Sequence, residues 1–277
     1  MQGKTVLITG ATAGIGLRTA EALAERGADL LLVGRDAAKT ERVAASLRAK
    51  GGTVTPFVAD LSRQDAVRRL ADEVRTKTER LDVLINNVGA IFQHRAESAD
   101  GREMTFALNH LAPFLLTNLL LDLLQASAPA RVVTVASAAH TWGTMDFTDL
   151  DYRKGYGGWN VYSRSKLANV LFAYELARRA AGTGVTSNSL HPGFVASDFG
   201  HNNGGLFGVT LKLTQRLFAI SEEDGAKTSV HLASAFGVNE ETGKYFVKSR
   251  PVASSKASYD ESTWRRLWDV SAEMVGL

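Results

Sequence analysis

The sequence predicts a single-domain α/β fold, a doubly wound parallel sheet of about seven strands with helices on both faces. Three observations predict it. Short apolar runs alternate with helical patterns along the chain. A glycine-rich turn follows the first apolar run and opens onto a helix. Residues able to do chemistry cluster where the strand candidates end, the rim at which such sheets bind ligands. The arrangement is Rossmann-type.

Strand candidates are residues 4–9, 29–34, 53–58, 82–86, 131–136, 185–191 and 243–247. Thr5-Val6-Leu7-Ile8 and Asp29-Leu30-Leu31-Leu32-Val33 are near-continuous apolar runs, as strands covered on both faces require. Helical patterns lie near 14–27, 36–50, 62–79, 101–127, 158–182 and 221–236. In the first of these, Leu17, Ala20 and Leu23/Ala24 form one stripe. The run from Leu111 to Leu124 is the most apolar helix, but Pro113, Asn118 and Asp122 interrupt it and it is too short to span a bilayer.

At 277 residues with 45% apolar content, the chain suits one large α/β domain with a substantial core, and no linker or repeat divides it. Net charge is +3 with the signs mixed, and no basic cluster interleaved with aromatics points to nucleic acid. Cysteine is absent, which fits a cytoplasmic enzyme. Met1-Gln2-Gly3-Lys4 leads directly into the first strand, so neither a signal peptide nor a membrane anchor is expected. The six histidines show no ligand spacing, and no metal site is expected.

The glycine turn runs Thr9-Gly10-Ala11-Thr12-Ala13-Gly14-Ile15-Gly16. Its spacing is Gly-x-x-x-Gly-x-Gly, which lets backbone approach a pyrophosphate at a helix N-terminus. At the end of the second strand Gly34 stands where an acid would hold a ribose 2′-hydroxyl, and Arg35 follows, suited to a 2′-phosphate. NADP(H) is therefore expected over NAD(H), with Asp36 capping the next helix. Tyr162 and Lys166 are four residues apart, one helical turn, so they share a face. A nearby ammonium lowers a phenol's pKa from ~10, toward the range where acid–base catalysis works. Gly-x-Ser-x-Gly is absent around Ser137, which argues against a serine hydrolase. His191 reads as a turn or packing residue.

Taken in order, Thr9 to Gly16, Asp60-Leu61, Asn86-Asn87-Val88-Gly89, Asn109, Ser137, Tyr162 with Lys166, and Pro192-Gly193 resemble the short-chain dehydrogenase/reductase family over nearly the full length. Gly34-Arg35-Asp36, Asn109-His110-Leu111, YSRSKLANVLF from Tyr162 to Phe172, Leu190-His191-Pro192-Gly193 and Gly243-Lys244-Tyr245-Phe246 resemble its retinol-dehydrogenase-like branch. The resemblance implies a catalytic set of Asn109, Ser137, Tyr162 and Lys166. Ser137 would polarise the substrate oxygen, Tyr162 would exchange a proton with it, Lys166 would lower the phenol and hold the nicotinamide ribose, and Asn109 would keep a water beside Lys166. It implies cofactor contacts from Gly10, Thr12, Ala13, Gly14, Ile15, Gly16, Arg35, Asp60, Leu61, Asn87, Val88, Gly89, Tyr162, Lys166, Pro192, Gly193, Val195 and Ser197. Val88 stands where the family more often has alanine. Ala13 is not basic, so the NADP expectation leans on Arg35.

The segment between Ser137 and Tyr162 is longer than in the family's shortest members. This insertion, 139–158, carries His140, Trp142, Phe147 and Tyr156 and is expected to line the pocket or alter subunit contacts. Residues 198–220, rich in glycine, leucine and phenylalanine, are expected to form a substrate lid. Together they suggest an apolar carbonyl or alcohol substrate. A ketoreductase acting on bulkier polycyclic substrates and a non-catalytic NADP sensor are the alternatives. The resemblance implies a homodimer or homotetramer through the helices near 101–127 and 158–182, unless the longer Ser137–Tyr162 segment obstructs that contact.

Overall fold

The computed structural model describes residues 1–194 and 220–277. Eight strands form one sheet: β1 (Thr5–Thr9), β2 (Asp29–Gly34), β3 (Val54–Val58), β4 (Val83–Asn86), β5 (Ala130–Val135), β6 (Val185–His191), β7 (Lys244–Val247) and β8 (Arg250–Val252). Their order is β3-β2-β1-β4-β5-β6-β7-β8. The seven expected strands all form and pair in parallel, whereas β8 is antiparallel to β7. The hairpin that adds β8 turns through Lys248 and Ser249, with φ of 50° and 61°. At three exposed residues, one of them proline, β8 carries no alternation from which to read it.

β1 lies between β2 and β4, so the chain leaves β1 toward one edge and later returns to its other side. This is the switch point at which the carboxyl ends of β1 and β4 open a crevice. Every residue of β1 is buried, as expected of a strand covered on both faces.

Helices α1 (Gly14–Ala24) and α2 (Ala37–Ala49) follow β1 and β2, and α3 (Gln64–Lys77) follows β3. Asp36 caps α2 by accepting the Lys39 N–H at 2.8 Å, as the sequence suggests. Beyond β4, α4 (Met104–Phe106), a π-helical turn (Ala107–Leu111), α5 (Ala112–Leu119) and α6 (Leu121–Ala126) run in succession. After β5 come a 3₁₀ turn (Ala138–Trp142) and α7 (Gly158–Arg179), then α8 (Glu222–Ser234) and α9 (Glu261–Val275).

α9 is the second element missing from the sequence reading. Asp260 caps it by accepting the Ser262 N–H at 3.0 Å, and it buries Leu267, Trp268, Ser271 and Val275 on one stripe. Trp268 packs against Phe114 of α5, ring centroids 4.9 Å apart, and against Phe172 of α7 at 5.9 Å. α9 thus packs on part of α5 and α7, and α7 is buried without a break from Val161 to Ala177. Among the described residues no helix is long and apolar enough to cross a membrane.

Candidate active site

The glycine turn is clamped at the switch point. Thr9 Oγ1 accepts the amides of Asn87 (3.0 Å) and Val88 (3.2 Å), joining the ends of β1 and β4. Asn87 Nδ2 donates back to the carbonyls of Thr9 (2.9 Å) and Gly10 (3.2 Å). Its amide is therefore spent on shaping the turn, a role the sequence reading did not assign to it. Gly10 and Gly14 take φ of 67° and 55°, conformations that suit glycine. Ala13 is the N-cap of α1 and provides no side-chain cap, and the first turn of α1 holds no acid. The helix thus offers bare amides and a positive dipole end, as a pyrophosphate requires.

The end of β2 leaves little room for a side chain at Gly34. A Cβ on Gly34 would lie 2.2 Å from Thr40 Oγ1 and 2.6 Å from Thr12 Cγ2. Arg35 is exposed and forms no ion pair with any described residue. Asp60, beyond β3, is also exposed and accepts from Ser62, while Leu61 is buried. Thr12, Ala13, Gly14, Ile15, Val88, Pro192 and Gly193 are half-buried, and Gly16 is buried. The residues present therefore fit a dinucleotide along this rim. Val195 and Ser197 lie outside the described residues, as does the expected lid apart from Ile220.

Tyr162 and Lys166 stand on the second and third turns of α7 with the ring 5.6 Å from Nζ. Lys166 Nζ donates to the Val135 carbonyl at the end of β5 (3.1 Å). Burial pulls the lysine down to about 8. Burial also pushes the Tyr162 phenol up to about 12, against a hydrogen bond with the Ser137 side chain that pulls it down. This reverses the direction expected from sequence. One turn of helix brings the cation near, but burial of the phenolate is the larger effect and the opposing one is the Ser137 hydrogen bond. Burial thus favours the neutral phenol.

Asn109 sits in the π-helical turn, where the Ala112 N–H reaches back five residues to the Ala107 carbonyl. Its Oδ1 accepts the Ala90 N–H at 2.8 Å, and its Nδ2 donates to the Ala90 carbonyl (2.9 Å) and Ser165 Oγ (3.0 Å). A Cβ on Gly89 would lie 3.2 Å from Lys166 Nζ and 3.4 Å from Asn109 Oδ1, so both groups flank Gly89. The structure brings Asn109 to the lysine, but its side chain holds the 89–90 backbone and Ser165 in place. Ser165 and Asn169 were absent from the sequence reading, and the only available signal was their spacing from Tyr162 and Lys166 on the same helix.

The insertion divides in two. Arg164 of α7 donates to the carbonyls of Thr144 (3.0 Å) and Asp149 (2.7 Å) and lies over the Tyr152 ring. Tyr156 donates to the Phe92 carbonyl at 2.8 Å, and Phe147 lies beneath Arg266. That half packs away from the phenol. Trp142 of the insertion instead meets Trp159 of α7, with centroids 6.0 Å apart, and Trp159 is 5.8 Å from Tyr162. Both tryptophans are about half exposed or more, at 65% and 49%, so an aromatic path leads from solvent to the phenol. No three His, Cys, Asp or Glu side chains converge as a metal site among the described residues.

The short chain dehydrogenase family model matches residues 4–204. The chain belongs to that family. It is 42% identical to mouse (Mus musculus) retinol dehydrogenase 14 over 291 residues, covering 100% of this chain and 87% of that protein. Among solved structures, a Mycobacterium paratuberculosis protein aligns with TM-score 0.81 at 33% identity, covering 99% of this chain and 94% of that one. A short chain dehydrogenase from Burkholderia cenocepacia in complex with NADP aligns with TM-score 0.72 at 26% identity, covering 88% and 96%. This family member is thus similar to the retinol dehydrogenases over its whole length, and it is an oxidoreductase with the single-domain Rossmann-type fold of its relatives.

Proposed function

We propose that this short chain dehydrogenase interconverts a carbonyl and an alcohol on an apolar substrate and prefers NADP(H). The reading rests on half-buried Ser137 hydrogen-bonded to buried Tyr162, with buried Lys166 beside the ring. A nicotinamide dinucleotide held along the rim at the glycine turn would supply the hydride. Ser137 donates to the substrate oxygen as negative charge develops there. Tyr162 then gives its proton to that oxygen, and its protonated state suits the reductive direction. Lys166 holds the ribose side of the site.

Two features support NADP. Gly34 has no room for a carboxylate, and Arg35, paired with no described residue, stands at the strand end where a 2′-phosphate would lie. The aromatic path past Trp142 and Trp159 supports an apolar substrate, as does the likeness to retinol dehydrogenases.

The test is NADPH oxidation with a panel of nonanal, all-trans-retinal, a cyclic ketone and small hydrophilic aldehydes. Oxidation is expected with the apolar aldehydes and weakly with the hydrophilic ones. Tight NADPH binding with no oxidation by any member overturns the reading in favour of a cofactor-binding protein without chemistry.

A further inference from the structure

We infer that His140 is a positioning residue for Ser137, locked as one neutral tautomer between the serine's carbonyl and the C-terminal segment. The inference rests on Ser137 acting at the substrate oxygen, as proposed above. His140 is 2% exposed. Its Nδ1 lies 2.7 Å from the Ser137 carbonyl oxygen, and its Nε2 lies 3.0 Å from the Ser255 backbone nitrogen. A carbonyl oxygen only accepts and a backbone N–H only donates. Nδ1 therefore carries the proton and Nε2 carries none. The other tautomer, or a charged ring, would set N–H against N–H at Ser255.

The serine is gripped from both sides of its peptide. The His140 N–H donates to the same Ser137 carbonyl at 3.1 Å, so that oxygen has two donors from one residue. Ser137 Oγ accepts the Ala139 N–H at 3.2 Å, which leaves its own proton to point toward Tyr162 and the substrate. The anchor at the far nitrogen is itself held. Ser254 Oγ bonds the Tyr174 hydroxyl at 2.7 Å and Ser258 Oγ at 2.6 Å. Tyr174 belongs to α7, the helix that carries Tyr162 and Lys166. The Tyr245 ring of β7 backs the imidazole with centroids 4.7 Å apart. A closed circuit thus runs from Ser137 through His140, Ser255, Ser254 and Tyr174 to α7, returning at Tyr162. It fixes the two reacting hydroxyls relative to each other and makes the segment after β8 part of the site's support.

The tests separate positioning from general stability. His140→Phe keeps a ring against Tyr245 but removes both nitrogens. It is expected to lower kcat for NADPH-dependent reduction of nonanal by about tenfold, with the NADPH Kd unchanged. In a Ser137→Ala background the same change is expected to alter kcat less than about twofold, since the group it serves has gone. His140→Asn, which restores a donor near the Nδ1 position, is expected to recover part of the loss. Equal losses with and without Ser137, or an unchanged kcat in His140→Phe, overturn the inference. Nitrogen chemical shifts of labelled histidine in the unaltered protein at pH 7 give a readout independent of turnover: a protonated Nδ1 and a bare Nε2 are expected. The opposite tautomer or an imidazolium overturns it. A protein that binds NADPH but reduces none of the panel defeats the oxidoreductase reading alone and leaves the lock to these spectra.

Discussion

Lys166 and Asn169 donate to one oxygen, the carbonyl of Val135, at 3.1 and 3.3 Å. Val135 ends β5, two residues before Ser137. The strand that delivers the serine therefore also aims the lysine, so the position of the ammonium is set by backbone rather than by a carboxylate partner. An ammonium buried with no counter-charge among the described residues carries a cost in the folded state.

That cost predicts a stability gain where function is lost. Lys166→Met is expected to abolish reduction while stabilising the cofactor-free protein at pH 7 by about 3 kcal/mol, the equivalent of a lysine brought from its ordinary 10.5 to about 8. The sign follows from linkage. Below pH 8 the lysine is charged in both states and the folded state bears the full penalty. Between pH 8 and 10.5 the unfolded chain binds more protons, so the parent gains stability as pH rises. The variant's advantage should shrink across that window in urea titrations. An advantage that is absent at pH 7, or that grows with pH, contradicts the account.

Arg35→Ser is expected to weaken NADPH binding by about tenfold or more, the loss of a charge-assisted contact, and to leave NADH binding nearly unchanged. Isothermal titration with both cofactors checks it. Equal changes for the two would show that the guanidinium does not read the 2′-phosphate.

Gly34→Asp introduces the acid of an NAD site, but its Cβ would meet Thr40 and Thr12 well inside contact distance. The variant is expected to lose thermal stability without gaining NADH affinity. Clear NADH binding at an unchanged Tm would show that the strand end yields more easily than the geometry implies.

Trp268→Ala should cost about 3–5 kcal/mol, because the indole fills the junction of α5, α7 and α9. Denaturation in urea measures it. A loss below about 1 kcal/mol would mean that α9 is not what covers those helices.

The strands and the rim were legible because a parallel sheet needs continuous apolar runs, and Val6 to Ile8 and Leu30 to Val33 supply them. The glycine turn was legible because its conformation narrows the choice of residue. β8 was hidden by its length and by Pro251. α9 was not hidden: Asp260 and the stripe of Leu267, Trp268, Ser271 and Val275 carry a capped amphipathic signal that a search for strand–helix alternation passes over. The supports Thr9, His140, Ser165 and Asn169 act through hydrogen bonds to groups far away in sequence, and no periodicity encodes such a pairing. The direction of the Tyr162 shift was misread because spacing reports the nearby cation but not the burial around both groups.

The account depends most on the Tyr162 hydroxyl. Tyr162→Phe keeps the ring and removes the proton donor. Single-turnover oxidation of bound NADPH by nonanal or retinal measures the loss directly. The predicted result is a fall of about a thousandfold, within the range for a positioned acid, with NADPH affinity unchanged. A rate equal to the parent's would contradict the account.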